Sequence, residues 1–292
     1  MNRMTIRRIW AAMLCAVLMA GIAPLAAGPA AARAEEAEPL KVTFVDVGKG
    51  DCILLGRGGS YVLIDAGYAE TADQAISAIR QAGADHLDAL IITHYDKDHA
   101  GGAEAMLRAF PVDRIYLPGY DGDNKVYSSL TYRIWAGSLP AEKVTADTSF
   151  TLSGVEYQIF ATALTFVPGE GKEEGNDNDM SLVVTARYGE DSLLFPGDIE
   201  LEGIAAYLAA GHGTYDVVKM PHHGQNEKNT DEFIAQTQMK IAVITDSEEE
   251  KVKKKVTKML QAIGAEIYTS SDNGNITVIC SGTGTYEVVT ER

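Results

Sequence analysis

The strongest constraint on the fold of this chain is a strand-like apolar run, residues 89–93, that leads directly into His94-Tyr95-Asp96-Lys97-Asp98-His99. Two imidazoles and two carboxylates therefore follow one predicted strand within six residues. These groups are ligands that zinc and similar divalent cations accept. The pattern predicts a metal site at the end of a buried strand, so the fold must bring further ligands to that end.

The first residues of the chain have the pattern of an export signal. Arginines precede an apolar run over residues 9–27, and Ala32-Arg33-Ala34 follows as a small-residue cleavage site. We therefore predict a signal peptide over residues 1–34, with a retained membrane anchor as the alternative, and a domain over residues 35–292 that is secreted or held at the cell surface. No later apolar run approaches about 18 residues, so no membrane insertion is expected after cleavage.

The balance of charges limits the partners of the chain. The formal net charge is −16, and loss of the leader, which holds four arginines and no acidic residue, takes it to −20. An acidic surface repels polyanions at long range, which weighs against tight, extended binding of nucleic acid. Nucleic acid is therefore expected only as a substrate, at a site where metal ions reverse the local field.

Two cysteines, Cys52 and Cys280, remain after removal of the leader, and both lie in apolar, strand-like sequence. An exported protein can hold one disulfide, but small buried thiols fit the same apolar surroundings. Both alternatives stay open at this point.

Ligand-type residues also end three other predicted strands. Asp65 ends an apolar strand, Asp198 follows Phe195-Pro196-Gly197, and His222-His223 follows the strand 216–220. Each has a simpler explanation alone, since Asp198 could cap the next helix and the histidine pair could form a turn. Together with the first cluster they indicate one site, because the ends of neighbouring strands lie along one edge of a sheet.

The set of motifs resembles the metallo-β-lactamase fold superfamily and, within it, the hydrolase domain of the ComEC competence proteins. The five matching motifs are Asp46-Val47-Gly48-Lys49-Gly50-Asp51, Leu63-Ile64-Asp65-Ala66-Gly67, Thr93-His94-Tyr95-Asp96-Lys97-Asp98-His99-Ala100-Gly101-Gly102, Phe195-Pro196-Gly197-Asp198 and Lys219-Met220-Pro221-His222-His223-Gly224. A sixth segment, residues 176–183, is similar to that group's Asn-rich entry to a strand. The resemblance spans residues 40–245 and implies an α/β fold, a four-layer αββα sandwich, for the domain 35–292.

The resemblance further implies a centre of one or two metal ions, usually zinc and sometimes manganese, between the sheet edges. The implied ligands are His94 and Asp96 for the first metal, Asp98, His99 and one of His222 and His223 for the second, and Asp198 as the bridge. Spacing alone does not choose between the two histidines.

Two departures from the superfamily pattern concern the first metal. Asp96 stands where the wider superfamily has histidine, a replacement usual in the ComEC-like group. No histidine occurs between His99 and His212, so the third-motif histidine of the superfamily is missing. Asn178 or Asp179 could lie nearby in its place.

Several other polar residues are expected around the ligands. Asp46, Asp51 and Asp65 would hold imidazoles in one tautomer, as carboxylates behind metal ligands do. Asn178 and Ser181 are expected beside them or on the substrate side. Asp98 is the expected catalytic residue, since the resemblance implies that it orients the attacking water or moves its proton besides binding metal.

The expected activity is hydrolysis of phosphodiesters, in nucleic acid, a teichoic-acid-like polymer or a small phosphoester. Two bridged cations lower the pKa of a shared water toward about 7, which supplies metal-bound hydroxide, and they neutralise charge on the phosphoryl oxygens. One alternative is a lactonase or β-lactamase-type hydrolase, which usually keeps the third-motif histidine. Another is a non-catalytic binding protein that metal merely stabilises. The sequence predicts no oligomeric state.

Overall fold

Two mixed β-sheets pack face to face in the computed structural model, which describes residues 38–162, 164 and 176–292. The predicted signal peptide lies outside the described residues. Within the described part of the chain, no helix is both long enough and apolar enough to cross a bilayer.

Within the described residues, the first sheet has eight strands. Numbered in chain order through both sheets, they are β1 (Leu40–Phe44), β2 (Ile53–Arg57), β3 (Ser60–Ile64), β4 (Ala89–Ile91), β5 (Ile115–Pro118), β6 (Ala141–Val144), β14 (Ile276–Cys280) and β15 (Tyr286–Thr290). Their order in the sheet is β15-β14-β1-β2-β3-β4-β5-β6. The pairs from β3 to β6 are parallel, so the carboxyl ends of β3 and β4 lie side by side at one edge.

The second sheet has seven strands in the part of the chain that the structure describes. They are β7 (Thr148–Leu152), β8 (Val155–Phe160), β9 (Val183–Tyr188), β10 (Asp191–Phe195), β11 (Val217–Lys219), β12 (Ile241–Ile244) and β13 (Glu266–Thr269). Their order is β13-β12-β11-β10-β9-β8-β7. Because β10, β11 and β12 are parallel neighbours, the residues that follow these strands also share one edge.

Helices cover the outer faces of both sheets. They are α1 (Ala72–Gln81), α2 (Lys97–Ala100), α3 (Ala103–Ala109), α4 (Lys125–Gly137), α5 (Asn176–Asp179), α6 (Leu201–Ala209), α7 (Thr230–Thr237), α8 (Lys254–Ala262) and α9 (Ser270–Asn273), with a 3-10 turn over Pro221–Gly224. Buried side chains of α1, α3 and α4 pack on the first sheet, and those of α6, α7 and α8 pack on the second.

The central apolar layer joins the two sheets. Side chains from both inner faces form it, and the Phe44 and Phe195 rings meet there with centroids 6.1 Å apart. Strand β8 alternates buried and exposed residues, as expected where one face packs inward and the other meets solvent. Three apolar layers therefore separate four structural layers, which confirms the predicted αββα sandwich.

The apolar spacing of residues 99–110 predicts one helix, but a glycine pair interrupts it. The helix is divided into α2 and α3 at Gly101-Gly102. A Cβ atom on Gly102 would lie only 2.2 Å from the carbonyl oxygen of Ala66, so glycine is required for this close approach. The Ala66 N–H donates to the His99 carbonyl at 2.7 Å, which brings the chain after β3 against the histidine.

Two other details were settled by tertiary contacts. The charged sequence of residues 248–262 predicts one helix, but α8 starts only at Lys254, because Asp246 accepts the Val252 N–H at 2.9 Å and holds the preceding segment in another conformation. The helix prediction is therefore wrong for residues 248–253. Cys52 and Cys280 are both free and buried, so the thiol alternative holds and the disulfide alternative does not.

Candidate metal centre

Four side chains converge on one point between the sheet edges. The Asp198 Oδ2 atom lies 2.9 Å from His223 Nε2 and 3.2 Å from His99 Nε2. The two nitrogens are 3.3 Å apart, and Asp98 Oδ2 lies 3.4 Å from His223 Nε2. One ligand atom from each residue lies within 4.8 Å of every other, a spacing that one cation can span. We call Asp98, His99, Asp198 and His223 the inner cluster.

Asp65 fixes the orientation of His99. Its Oδ2 atom lies 2.7 Å from His99 Nδ1, and the Thr93 N–H and hydroxyl donate to the same carboxylate at 2.8 and 2.7 Å. An ionised carboxylate only accepts hydrogen bonds, so Nδ1 carries the proton in this contact and the Nε2 lone pair faces the inner cluster. The position of Asp65 is the one that the sequence predicts for a carboxylate behind an imidazole.

A threonine that sequence reasoning missed does the same for His223. The Thr245 hydroxyl donates to Asp51 Oδ1 at 2.6 Å, so it accepts from His223 Nδ1, which lies 2.9 Å away. The Nε2 lone pair of His223 is thereby directed at the inner cluster. Thr245 follows β12, so the rule that polar residues at these strand ends belong to the site could have found it.

The structure distinguishes the two histidines of the turn. His223 is buried in the inner cluster, whereas His222 Nδ1 lies 3.0 Å from Glu200 Oε1 and 3.3 Å from Glu227 Oε1. Both histidines have positive φ, 46° and 51°, which turns their side chains in different directions. Burial opposes a charge on His222, but the bond to Glu200 and nearby carboxylates raise its pKa.

A fully buried lysine, also missed by sequence reasoning, lies behind the inner cluster. The Lys219 ammonium is 2.7 Å from Asp51 Oδ2 and 2.9 Å from Asp198 Oδ1, and it donates to the Gly197 carbonyl at 3.0 Å. Burial opposes its charge, but the two carboxylates raise its pKa. Asp198 thus has one oxygen held by the ammonium and the other directed at His99 and His223. Its position as a charged residue at the end of the apolar strand β11 is the sequence signal by which Lys219 could have been found.

His94 and Asp96 lie beside the inner cluster. The His94 and His99 rings are 4.2 Å apart between centroids, and His94 Nε2 is 4.0 Å from Asp96 Oδ2. His94 Nδ1 faces the hydroxyls of Thr93 and Ser181 at 3.1 and 3.3 Å. Burial, followed by the neighbouring His99, lowers the pKa of His94. Ser181 therefore supports an implied ligand from behind.

Neither residue suggested for the missing third-motif histidine reaches the centre. The Asp179 carboxylate accepts the N–H groups of Glu200 and Gly203 at 2.8 and 2.7 Å, which anchors the start of α6. The Asn178 amide donates to Glu200 Oε1 at 2.8 Å. Asp177, which the sequence did not single out, lies against Asp96; burial, and then the Asp96 carboxylate, raises its pKa to about 7.

Asp46, predicted to lie behind an imidazole, has a different environment from Asp51 and Asp65. Its carboxylate accepts the Gly48 N–H at 3.2 Å and pairs with Arg292 Nη2 at 2.8 Å. These contacts hold the turn after β1 to the last residue of the chain. Of the three carboxylates predicted for that role, the structure places Asp51 and Asp65 against the ligands.

The residues of the centre fit a divalent cation. Two imidazole lone pairs and the Asp198 oxygen meet at 2.9–3.3 Å, an arrangement that is repulsive unless a positive charge lies among them. A proton can supply that charge: burial opposes it, yet Asp198, Asp65 and Asp51 raise the pKa of His99 well above its ordinary value. A cation would replace this proton, with two imidazoles and two carboxylates as a set suited to zinc.

The four-layer sandwich, with histidines and carboxylates meeting at facing strand ends, defines the metallo-β-lactamase fold. Residues 45–245 match the family model described as "Metallo-beta-lactamase superfamily". The chain belongs to that superfamily, and it has a candidate metal site at the place where the two sheet edges meet.

Relatives support the ComEC-like branch. The chain is 27% identical over 261 residues to "ComE operon protein 3" of Bacillus subtilis, covering 81% of this chain and 32% of that protein. It is 27% identical over 209 residues to "Recombination protein 2" of Haemophilus influenzae, covering 70% of this chain and 24% of that one. The chain thus spans about a third or less of the length of these relatives.

A solved structure shows the same fold. The "metallo-beta-lactamase fold protein YhfI" of Bacillus subtilis superposes with a TM-score of 0.53 at 14% identity, covering 80% of this chain and 97% of that one. At this identity the likeness concerns the fold alone.

Proposed function

We propose that this chain is an exported hydrolase of phosphodiester bonds that uses zinc at the inner cluster. The observation that carries the proposal is the convergence of two imidazole nitrogens and two carboxylate oxygens, each imidazole held from behind by a fixed hydrogen-bond partner. When bound, the cation would lower the pKa of water and neutralise charge that develops on the phosphoryl oxygens.

Exposure separates this arrangement from a closed structural metal site. The side chains of His99, His223 and Asp198 are at most 3% exposed, but Asp98 is 17% and Asp96 46% exposed. One side of the centre is therefore open to solvent and to a substrate. An open ligand position is the feature that distinguishes catalytic from structural sites, which supports an enzyme over a metal-stabilised binding protein.

Asp98 has the position for the catalytic role. Burial opposes its ionisation, but the neighbouring His223 and His99 imidazoles lower its pKa, so it is a carboxylate at neutral pH. On the open side of the centre, this carboxylate can accept a hydrogen bond from the attacking water and orient it toward phosphorus. Asp198 and Lys219 keep their positions by their mutual ion pair.

The phosphodiester class is supported by relatives and by the ligand pattern. The name of one relative, "Recombination protein 2", refers to recombination, which fits nucleic acid or a similar phosphodiester as substrate. The third-motif histidine, usual in lactonases and β-lactamases, is missing here, which lowers those alternatives. The acidic surface favours short or small phosphodiesters over long polyanions.

Metal analysis combined with parallel substrates tests the proposal. The mature chain should bind zinc and hydrolyse bis-p-nitrophenyl phosphate or linear DNA, with little action on a lactam. Asp98→Ala should lower kcat by about 10²–10⁴-fold, the range for loss of a positioned acid or base. Asp73→Ala, an exposed site on α1, is the matched control and should keep full activity. Equal loss in both variants, or hydrolysis of the lactam alone, would contradict the proposal.

Export has its own test. Expression of the full chain in a secreting bacterial host should place the protein outside the cytoplasm, with Glu35 as its first residue. Recovery of a cell-associated protein that still carries residues 1–34 would contradict a cleaved signal peptide and favour a retained anchor.

A further inference from the structure

An ion pair joins the two loops that flank the inner cluster. Lys49 lies in the turn after β1 and Glu250 in the loop after β12, and the Lys49 Nζ and Glu250 Oε2 atoms are 3.0 Å apart. The two residues are 201 positions apart in sequence and follow strands of opposite sheets. Both loops start or end on residues of the centre: Asp51 follows Lys49 by two positions, and Thr245, which holds His223, follows β12 directly. The pair therefore bridges the sheet edges beside the inner cluster.

Backbone contacts hold the turn of Lys49 against Asp98, the ligand on the open side of the centre. The Asp51 N–H donates to the Asp98 carbonyl at 3.0 Å. A Cβ atom on Gly50 would lie 2.6 Å from that carbonyl oxygen and 3.1 Å from the Asp98 Cβ atom, so only glycine permits this approach. Lys49 directly precedes the contact. Its side chain is 19% exposed, which places a positive charge at the rim of the centre.

The ammonium of Lys49 can exchange its partner. Glu250 is 61% exposed, and an ion pair with an exposed partner contributes little to stability. A phosphate that reaches the rim can therefore displace this carboxylate. The open side also contains Asp96 and Asp98, which are 46% and 17% exposed and repel an anion. Lys49, together with the exposed Lys97 between these two carboxylates, offsets their charge where a substrate must enter.

We propose that Lys49 binds the phosphate next to the one that is cleaved and releases Glu250 when it does so. The inference rests on the proposed function of the centre. The scissile phosphate must reach a cation among the buried side chains of His99, His223 and Asp198, whereas Lys49 lies outside this cluster. The anion that meets Lys49 is therefore a second group of the same substrate. The preferred substrate class is a molecule with two successive phosphodiesters rather than one.

Two chromogenic substrates that differ by one charge test this assignment. Each is a p-nitrophenyl ester of a thymidine dinucleotide, and the linkage beside the cleaved ester is either a phosphodiester or an uncharged methylphosphonate. The wild-type KM should be about 10–100-fold lower for the charged substrate, the range for a hydrogen bond to a charged group. Lys49→Met should remove this difference through KM alone, and Lys49→Arg should restore it. Lys251→Met, on the same loop but paired with Asp272 at 2.9 Å, is the matched control and should behave as wild type.

The partner variant separates substrate binding from a merely structural tie between the loops. Glu250→Gln frees the ammonium, so it should lower KM for the charged substrate, in the direction opposite to Lys49→Met. If both variants raise KM equally for both substrates, the pair only holds the loops together and the inference is overturned. Equal KM values of the wild type for the two substrates would also overturn it and would leave the proposed function in place.

Binding measured without turnover distinguishes this inference from the proposed function. In an Asp98→Ala background, calorimetry should show that Lys49→Met weakens binding of the charged ester. The slope of log Kd against log salt concentration should also fall by about 0.7, the value for one phosphate contact on a single strand. An unchanged Kd and slope would overturn the inference. Binding that depends on Lys49, in a chain whose wild type hydrolyses neither ester, would support the inference and overturn the proposed function.

Discussion

Replacement of Lys219 by methionine should destabilise the metal-free protein strongly. The ammonium is fully buried and contacts Asp51 at 2.7 Å, Asp198 at 2.9 Å and the Gly197 carbonyl. Methionine has a similar volume but leaves two buried carboxylates with no cation between them. Breaking a buried ion pair by removal of one partner costs about 3–5 kcal/mol. For a domain of this size, that loss corresponds to a fall in Tm of about 6–20 °C.

The assay is urea unfolding of the mature chain followed by far-ultraviolet circular dichroism, after removal of metal with a chelator. Lys240→Met is the matched control, because Lys240 pairs with Asp216 at 2.8 Å but is 58% exposed. An exposed pair contributes at most about 1 kcal/mol. A double variant, Lys219→Met with Asp51→Asn, removes one of the stranded charges and should recover part of the lost free energy of unfolding.

The refuting result is specific. If Lys219→Met and Lys240→Met change the free energy of unfolding equally, by less than about 1 kcal/mol, the buried ammonium does not balance the two carboxylates. If the double variant loses as much free energy of unfolding as Lys219→Met and Asp51→Asn lose together, the two residues are not coupled as their distance implies.

Three further outcomes are expected. His223→Ala should abolish binding of zinc at the inner cluster while His222→Ala retains it, because only His223 faces Asp198. Calorimetric titration with zinc measures both variants, and an equal loss of zinc binding in the two would contradict this expectation. Thr245→Val should weaken zinc binding by about 10–100-fold by freeing the ring orientation of His223, and an unchanged Kd would argue against the role of the hydroxyl. The raised pKa of His99 means that its charge stabilises the metal-free chain fully below pH 6.5 and that this contribution is lost as the pH rises through the folded pKa. The urea midpoint of the metal-free chain should therefore fall as the pH rises through that pKa. The same fall in the zinc-loaded chain would contradict the role of His99.

Most of the fold and several site residues could be predicted from the sequence because their signals are local. The alternation in β8 and the apolar spacing in α1 follow from the periods of strand and helix. Asp65 follows its strand directly and Asp198 comes three positions after its own, and parallel strands bring such ends to one edge. The start of α8 at Lys254 was not predictable in this way, because it depends on a side-chain contact, from the Val252 N–H to the Asp246 carboxylate, that follows neither period.

The sequence by itself therefore determined the sandwich, the superfamily and the pool of imidazoles and carboxylates from which the centre is built. Only the tertiary structure decided which of these groups meet. It turned His223 inward and His222 outward through left-handed backbone, and it placed Lys219 between Asp51 and Asp198. The physical reason is that strand periodicity determines on which face of a sheet a side chain lies. Burial and hydrogen bonding between segments far apart in sequence determine which partners its polar atoms contact.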